Sequence, residues 1–339
     1  HLRVPSGFKV EIYSNQVPGA RSMTLADDGT VYVGTTREGK VYALRDDNGD
    51  GKAEQLKVFA SGLNQPNGVA WLRGDLYVGE ISRILRFKAG QTMPDVVYQG
   101  FPTDTHHGWK YLKAGPDGKL YTGVGVPCNT CQPANDIYGS LVRLNSDGSN
   151  VEIIAHGVRN SVGFDWHPQT GELWFTDNGR DWLGDDSPPD ELNRLTTPGQ
   201  SFGFPYCFGR DIADPEFGKL KSCKETTAPE WAFPAHVAAL GAHFYTGTLF
   251  PEEYRNQLFV AQHGSWNRSQ PQGYRVVVIH FVDGKPTSEQ VLADGWLKPD
   301  GKVSGRPVDV LPLQDGSLLV SDDLAGAIYR ISYSPQTTH

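Results

Sequence analysis

Asp28-Gly29-Thr30-Val31-Tyr32-Val33 decides the fold, because it does not stand alone. A turn residue, often Gly or Asp, followed by a short apolar run returns five more times. The copies are Gly74-Asp75-Leu76-Tyr77-Val78, Pro116-Asp117-Gly118-Lys119-Leu120-Tyr121, Thr170-Gly171-Glu172-Leu173-Trp174-Phe175, Arg255-Asn256-Gln257-Leu258-Phe259-Val260 and Asp315-Gly316-Ser317-Leu318-Leu319-Val320. β-branched and aromatic side chains bounded by turn residues read as strands. The early copies lie roughly 45 residues apart and the fourth and fifth roughly 85, a period that suits several short strands per repeat. One small sheet cannot bury both of its faces, so such units must stack around an axis. The expected fold is all-β: a six-bladed β-propeller of four-stranded antiparallel blades, forming a single domain over 1–339. The segment at about 181–242, rich in Pro, Gly and Cys, is expected to be a loop-rich insertion over one end of the axis.

Working outward, the 39 Gly and 23 Pro supply the turns that such a chain needs. No apolar run approaches the roughly 20 residues of a membrane helix. A formal net charge of −8 argues against nucleic-acid and anionic-membrane partners, which require a basic face. The four cysteines form a C-x-x-C, Cys128 and Cys131, and a second local pair, Cys207 and Cys223. Two disulfides are the expected reading, since a zinc site needs four ligands and no second C-x-x-C or His pair at finger spacing is present. Disulfides imply an oxidising compartment. The start at His1 matches a secreted chain after signal removal, so a periplasmic or secreted location is expected.

Several motifs carry candidate chemistry. Asp46, Asn48, Asp50 and Glu54 fall at positions one, three, five and nine of a calcium-loop pattern. The Lys52 carbonyl fills position seven and Gly51 makes the turn, while the acidic residue of position twelve is replaced by Lys57. The same stretch also reads as a polar turn. His107, in His106-His107-Gly108-Trp109-Lys110, is a candidate general base, because neutral imidazole accepts protons near neutral pH. On a strand-like chain His106 would point the opposite way. Arg159-Asn160 offers fork-shaped donors for an anionic or carbonyl-rich ligand. Gly179, after Thr176-Asp177-Asn178, would let backbone carbonyls face a cation. Gly264-Ser265-Trp266-Asn267-Arg268 and Gly305-Arg306-Pro307-Val308-Asp309-Val310 repeat cationic and amide groups beside later strands, which suggests a polar anion-binding pocket on the axis. No G-x-G-x-x-G precedes a helix, so a nicotinamide site is not supported.

Taken together, these motifs resemble the soluble sugar dehydrogenases that use pyrroloquinoline quinone (PQQ) and calcium, in their sorbosone/aldose dehydrogenase-like branch. The resemblance implies PQQ across the top of the axis, with His107 as general base and Arg159 stabilising charge on the reduced cofactor. It implies cofactor contacts from Gln65, Arg159, Asn160, Asn267, Arg268 and Arg306. It implies a cofactor calcium on the backbone carbonyls of Gly179 and Arg180. The partners implied are an aldose or sugar aldehyde, oxidised at C1, and an external electron acceptor such as a quinone, cytochrome or dye. A calcium-dependent propeller lactonase and a non-catalytic ligand-binding propeller are the competing readings.

Overall fold

The computed structural model describes residues 1–335. Six antiparallel four-stranded units build it, one of them extended by a short parallel strand, Gln200–Ser201, and each sequence copy quoted above supplies the second strand of one of them. These second strands are Val31–Val33, Asp75–Gly79, Leu120–Val124, Leu173–Asp177, Leu258–Gln262 and Leu318–Asp322. The innermost strands, Met23–Leu25, Gly68–Leu72, Leu112–Ala114, Phe164–Trp166, Ala239–Phe244 and Pro307–Pro312, stand beside one another around the axis. Blades 1 to 6 are numbered by these inner strands.

Burial explains the residue choice. Five of the second strands are buried at every position, so apolar or small side chains fill both faces, and buried polar ones such as Asp75, Asp177, Gln262 and Asp322 stand at the strand ends. Outer strands such as Gln55–Ala60 are half solvated and read as mixed. The core is a set of inter-blade layers. Ala70, Tyr77 and Ile84 of blade 2, for example, pack with Leu112, Leu120, Val124, Val142 and Leu144 of blade 3. Each such aliphatic or aromatic side chain contributes about 1.5–3 kcal/mol on burial. Phe8–Ser14 closes the ring as the outer strand of blade 6, in register from Phe8↔Tyr333 to Ser14↔Ile328.

The insertion is narrower than about 181–242. Pro189–Leu195 and Trp231–Ala235 are the third and fourth strands of blade 4, and Ala239–Phe244 opens blade 5. Their Pro, polar and charged residues mask the strand pattern. The insertion proper lies between those two blade-4 strands, carries a two-stranded ribbon of Cys207–Phe208 and Ile212–Ala213, and is stapled by Cys207–Cys223. Cys128–Cys131 forms the second disulfide, so all four cysteines are paired.

Candidate active site

In an antiparallel blade the first strand begins where the second ends. Residues before each inner strand and after each second strand therefore meet at one end of the axis. There they line a cavity of about 250 Å3. Arg21, His107, Trp109, Arg159, Asn160, His236 and Arg306 come from the lead-ins, and Asn178, Gly179, Asp181, His263, Trp266 and Asn267 from the exits.

His107 sits in a turn with φ of 51°, and its Nδ1 donates to the Val126 carbonyl at 2.8 Å. That bond leaves Nε2 as the unprotonated nitrogen. Gly125 makes the approach possible: a Cβ there would lie 2.5 Å from the His107 Cβ and 2.7 Å from its carbonyl oxygen. Burial, then the nearby Arg159 and His106, lower the His107 pKa to about 3. His106 is exposed, but it does not point away; the two rings meet edge to face at 4.2 Å. The turn replaces the strand on which the alternation argument depended. Lys110 also avoids the cavity, its Nζ folding back to the Gly108 carbonyl at 2.6 Å.

Arg159 is buried, and acceptors surround it. Its Nε donates to the Asn129 carbonyl at 2.8 Å, Nη2 to Asn129 Oδ1 at 2.9 Å, and Nη1 to the Gly179 carbonyl at 3.0 Å. Underneath, Asp177 accepts the backbone N–H groups of Arg159 and Asn160 at 3.0 and 2.7 Å. Burial raises the pKa of Asp177 and of its neighbour Glu191. Arg306 donates to the carbonyls of His263 and Gly264 at 3.1 and 2.6 Å. Asn267 Nδ2 donates to Asp181 at 2.8 Å, and its Oδ1 is buried without a partner among the described residues. Trp266 and Trp182, each about two-thirds exposed, meet edge to face at 5.4 Å beside the opening.

Two expected side-chain contacts, Gln65 and Arg268, lie outside the cavity lining. Asn67 of blade 2 is outside it too, and its Oδ1 accepts from the lining residue Arg21 at 3.0 Å. The Arg268 guanidinium binds the Asp185 carbonyl and Asp186, tying two loops together. The Arg180 side chain turns to Asp214 at 2.6 Å. Arg21, Trp109, His236 and His263 were not singled out from the sequence. Aligning the six repeats would have found Arg21, which precedes its inner strand as Arg306 does. His263 bonds Asp323 at 2.8 Å and Asp323 bonds Arg21 at 3.0 Å, contacts that no local pattern announces.

Far from the axis, the carboxylates of Asp46, Asp50 and Glu54 converge to within 4.8 Å of one another. Asn48 donates to Glu54 at 2.8 Å and accepts from the Asp50 N–H at 2.8 Å, while the Lys52 N–H caps Asp50 at 2.9 Å.

The TrAA12-like family model matches residues 139–334, more than half of the chain. The chain belongs to the TrAA12-like family. A Borreliella burgdorferi protein described as uncharacterized is 35% identical over 98% of this chain and 91% of its own length. The PQQ-dependent pyranose dehydrogenase of Coprinopsis cinerea is 33% identical over 53% of this chain and 31% of that protein, so the chain spans about a third of this relative. The calcium structure of Trichoderma reesei family AA12 superposes with a TM-score of 0.86 over 98% of this chain and 97% of that one, at 20% identity. The holo PQQ domain of the Coprinopsis pyranose dehydrogenase gives 0.82 over 98% and 97%, at 19% identity. The kinship expected from the motifs and the six-bladed fold are thus both borne out.

Proposed function

We propose that the protein is a PQQ-dependent oxidoreductase that oxidises an aldose, or a sugar aldehyde, at C1. The observation that carries this reading is the lining of one cavity by three guanidinium groups and a neutral imidazole with a free Nε2. PQQ is a flat tricarboxylate with adjacent quinone carbonyls, and Arg21, Arg159 and Arg306 suit that anionic, carbonyl-rich set. The unpartnered Oδ1 of Asn267 suits an N–H or O–H of a bound ligand. PQQ, when bound, supplies the two-electron acceptor for a hydride.

His107 does the proton work. Its Nδ1–H is committed to Val126, so Nε2 takes the proton of the anomeric hydroxyl. Arg159, Asn160, Arg306 and Asn267 would hold the quinone and carboxylate oxygens of PQQ. Gln65 and Arg268, away from the lining, contribute at most through loop position. Trp266 and Trp182 offer apolar faces to a sugar ring at the entrance. Calcium belongs to the same reading: the backbone carbonyls of Gly179 and Arg180 would hold it, and it would supply a Lewis acid toward the quinone. A cation there would take the Gly179 carbonyl from Arg159 and leave Nη1 only its longer contact to the Asn178 carbonyl, at 3.3 Å. A second, structural calcium is proposed for Asp46, Asn48, Asp50, Lys52 and Glu54.

The product is a lactone, or an acid from an aldehyde, and an external acceptor removes the electrons. The two disulfides agree with a periplasmic or secreted location, and no described helix is long and apolar enough to cross a membrane. The deciding experiment is calorimetry of PQQ binding with calcium and with excess chelator, followed by dye reduction with a panel of aldoses. Binding only with calcium, and reduction only with PQQ, is the expected result. Lactone hydrolysis without PQQ would replace this reading with the lactonase, and PQQ-independent silence toward all sugars would leave a binding protein.

A further inference from the structure

One short segment reaches both residues assigned above to chemistry. The Val126 carbonyl accepts His107 Nδ1–H at 2.8 Å, and the Val126 N–H donates to the Arg159 carbonyl at 3.0 Å. Three residues on, Asn129 grips the Arg159 guanidinium twice, with its main-chain carbonyl at 2.8 Å and its Oδ1 at 2.9 Å. The same Oδ1 accepts the Asp181 N–H at 2.8 Å, and Nδ2 donates to the Asp181 carbonyl at 3.2 Å. Cys128–Cys131 closes a loop with Asn129 inside it. Cys128 packs on the apolar cluster of Val126, Phe204 and Phe208, so the loop is fixed at its base.

We propose that Asn129 is a positioning residue, and that the disulfide-closed segment Val126–Cys131 presets the Arg159 fork and the His107 tautomer before any ligand enters. The benefit for turnover rests on the oxidoreductase reading; the clamp itself does not. An arginine side chain has many rotamers, and a fork already held loses little freedom when it meets a ligand. Without Asn129 Oδ1, the remaining side-chain contacts of the fork beyond the Asn129 carbonyl all lie on Asn178, Gly179 and Asp181, at 3.3, 3.0 and 3.4 Å. The fork would then be drawn toward that one loop.

The test begins with cofactor-free protein and phenylglyoxal, which labels accessible guanidinium groups, read by peptide mass. Asn129→Ala and the double variant Cys128→Ser/Cys131→Ser should label Arg159 about tenfold faster than the parent, the scale expected for losing hydrogen bonds to a charged group. Asn129→Asp, which keeps the acceptor oxygen, should restore the parent rate. Arg306, which touches neither residue, should label equally in every protein. In PQQ-loaded enzyme, Asn129→Ala should lose kcat about tenfold with KM for sugar unchanged. Parent-like Arg159 labelling in both Asn129→Ala and the double variant overturns the clamp. Equal acceleration at Arg306 also overturns it, since that reports general loosening. If Asn129→Ala does not fold, the double variant carries the same test. A parent without PQQ activity would sink the oxidoreductase reading, yet the labelling would still decide the clamp.

Discussion

The Asp46–Glu54 loop and the axial cavity both gather charged and polar groups, and they differ in how far apart those groups stand in the chain. Every side-chain hydrogen bond within the loop joins residues two to eight positions apart. The cavity network joins Arg159 to Asn129 over 30 positions, Arg21 to Asn67 over 46, Asn267 to Asp181 over 86 and Arg21 to Asp323 over 302. The loop's groups are largely exposed, so water screens them. The cavity's groups are more desolvated, so burial lowers the pKa of His107, Arg159 and His263 and strengthens hydrogen bonds there. A local motif is easy to read and energetically modest; a distant network is hard to read and carries the chemistry.

The largest expected effect tests the desolvated side of this contrast. His107→Ala should lower kcat by about 10²–10⁴-fold while PQQ binding holds. With the His107 pKa lowered to about 3, the imidazole is neutral and competent throughout the ordinary working range. The parent's pH profile should therefore show no acid limb from this group near the ordinary imidazole value of 6.5. A limb at that value, lost in His107→Ala, would show that the site is wetter than its burial implies.

Next in size is Arg159→Lys. Lysine keeps the charge but cannot reach Asn129 and Gly179 with a planar fork. PQQ affinity should fall about tenfold or more by calorimetry. An unchanged affinity would mean that charge alone, as in the loop, governs the cavity.

Asp177 tests desolvation through stability. Burial raises the pKa of Asp177 and Glu191, so the folded state holds protons that the unfolded chain releases. Their contribution is fully present below the unfolded carboxylate pKa and is lost as pH rises through the folded values. Apo protein should thus melt progressively lower as pH climbs from about 5 to 8. Asp177→Asn should flatten that slope; a slope identical to the parent's would remove the pair from the explanation.

The smallest effect is expected in the loop. Calcium that binds only the folded loop should raise the melting temperature by a few degrees, and Asp50→Ala should abolish that gain without touching kcat. Equal melting of parent and variant, with and without calcium, would reduce the loop to a hydrogen-bonded surface turn. Tyr13 beneath it offers a spectroscopic check: burial, then Asp46 and Glu54, push its pKa up to about 12. Calcium on those carboxylates should draw it back down.

Some of this was legible because it is periodic or local. The turn-plus-strand copies named all six second strands, since a short apolar run bounded by turn residues is written in neighbouring residues. The cysteine pairs were legible for the same reason, each closing a short stretch of chain. The carboxylate cluster of the blade-1 loop converges as its spacing implies. His107, Arg159, Asn160, Asn267 and Arg306 stood out beside the repeats, and the structure brings all five into one cavity. The strands hidden in 181–242 were missed because polar and proline-rich residues stand at positions that the neighbouring blades and the insertion bury.

Only the tertiary structure decided which charged groups meet. Blade closure sets Arg21 against Asp323, and the blade-4 exit loop sets Asp181 against both Arg159 and Asn267. It turned the Arg268 guanidinium onto Asp186, the Arg180 side chain onto Asp214, and set Asn67 behind Arg21. Sequence could name the side chains able to hold an anion, because that ability is intrinsic to a guanidinium. It could not say where they point, because direction follows from turns such as that at His107 and from partners that only the closed ring brings within reach.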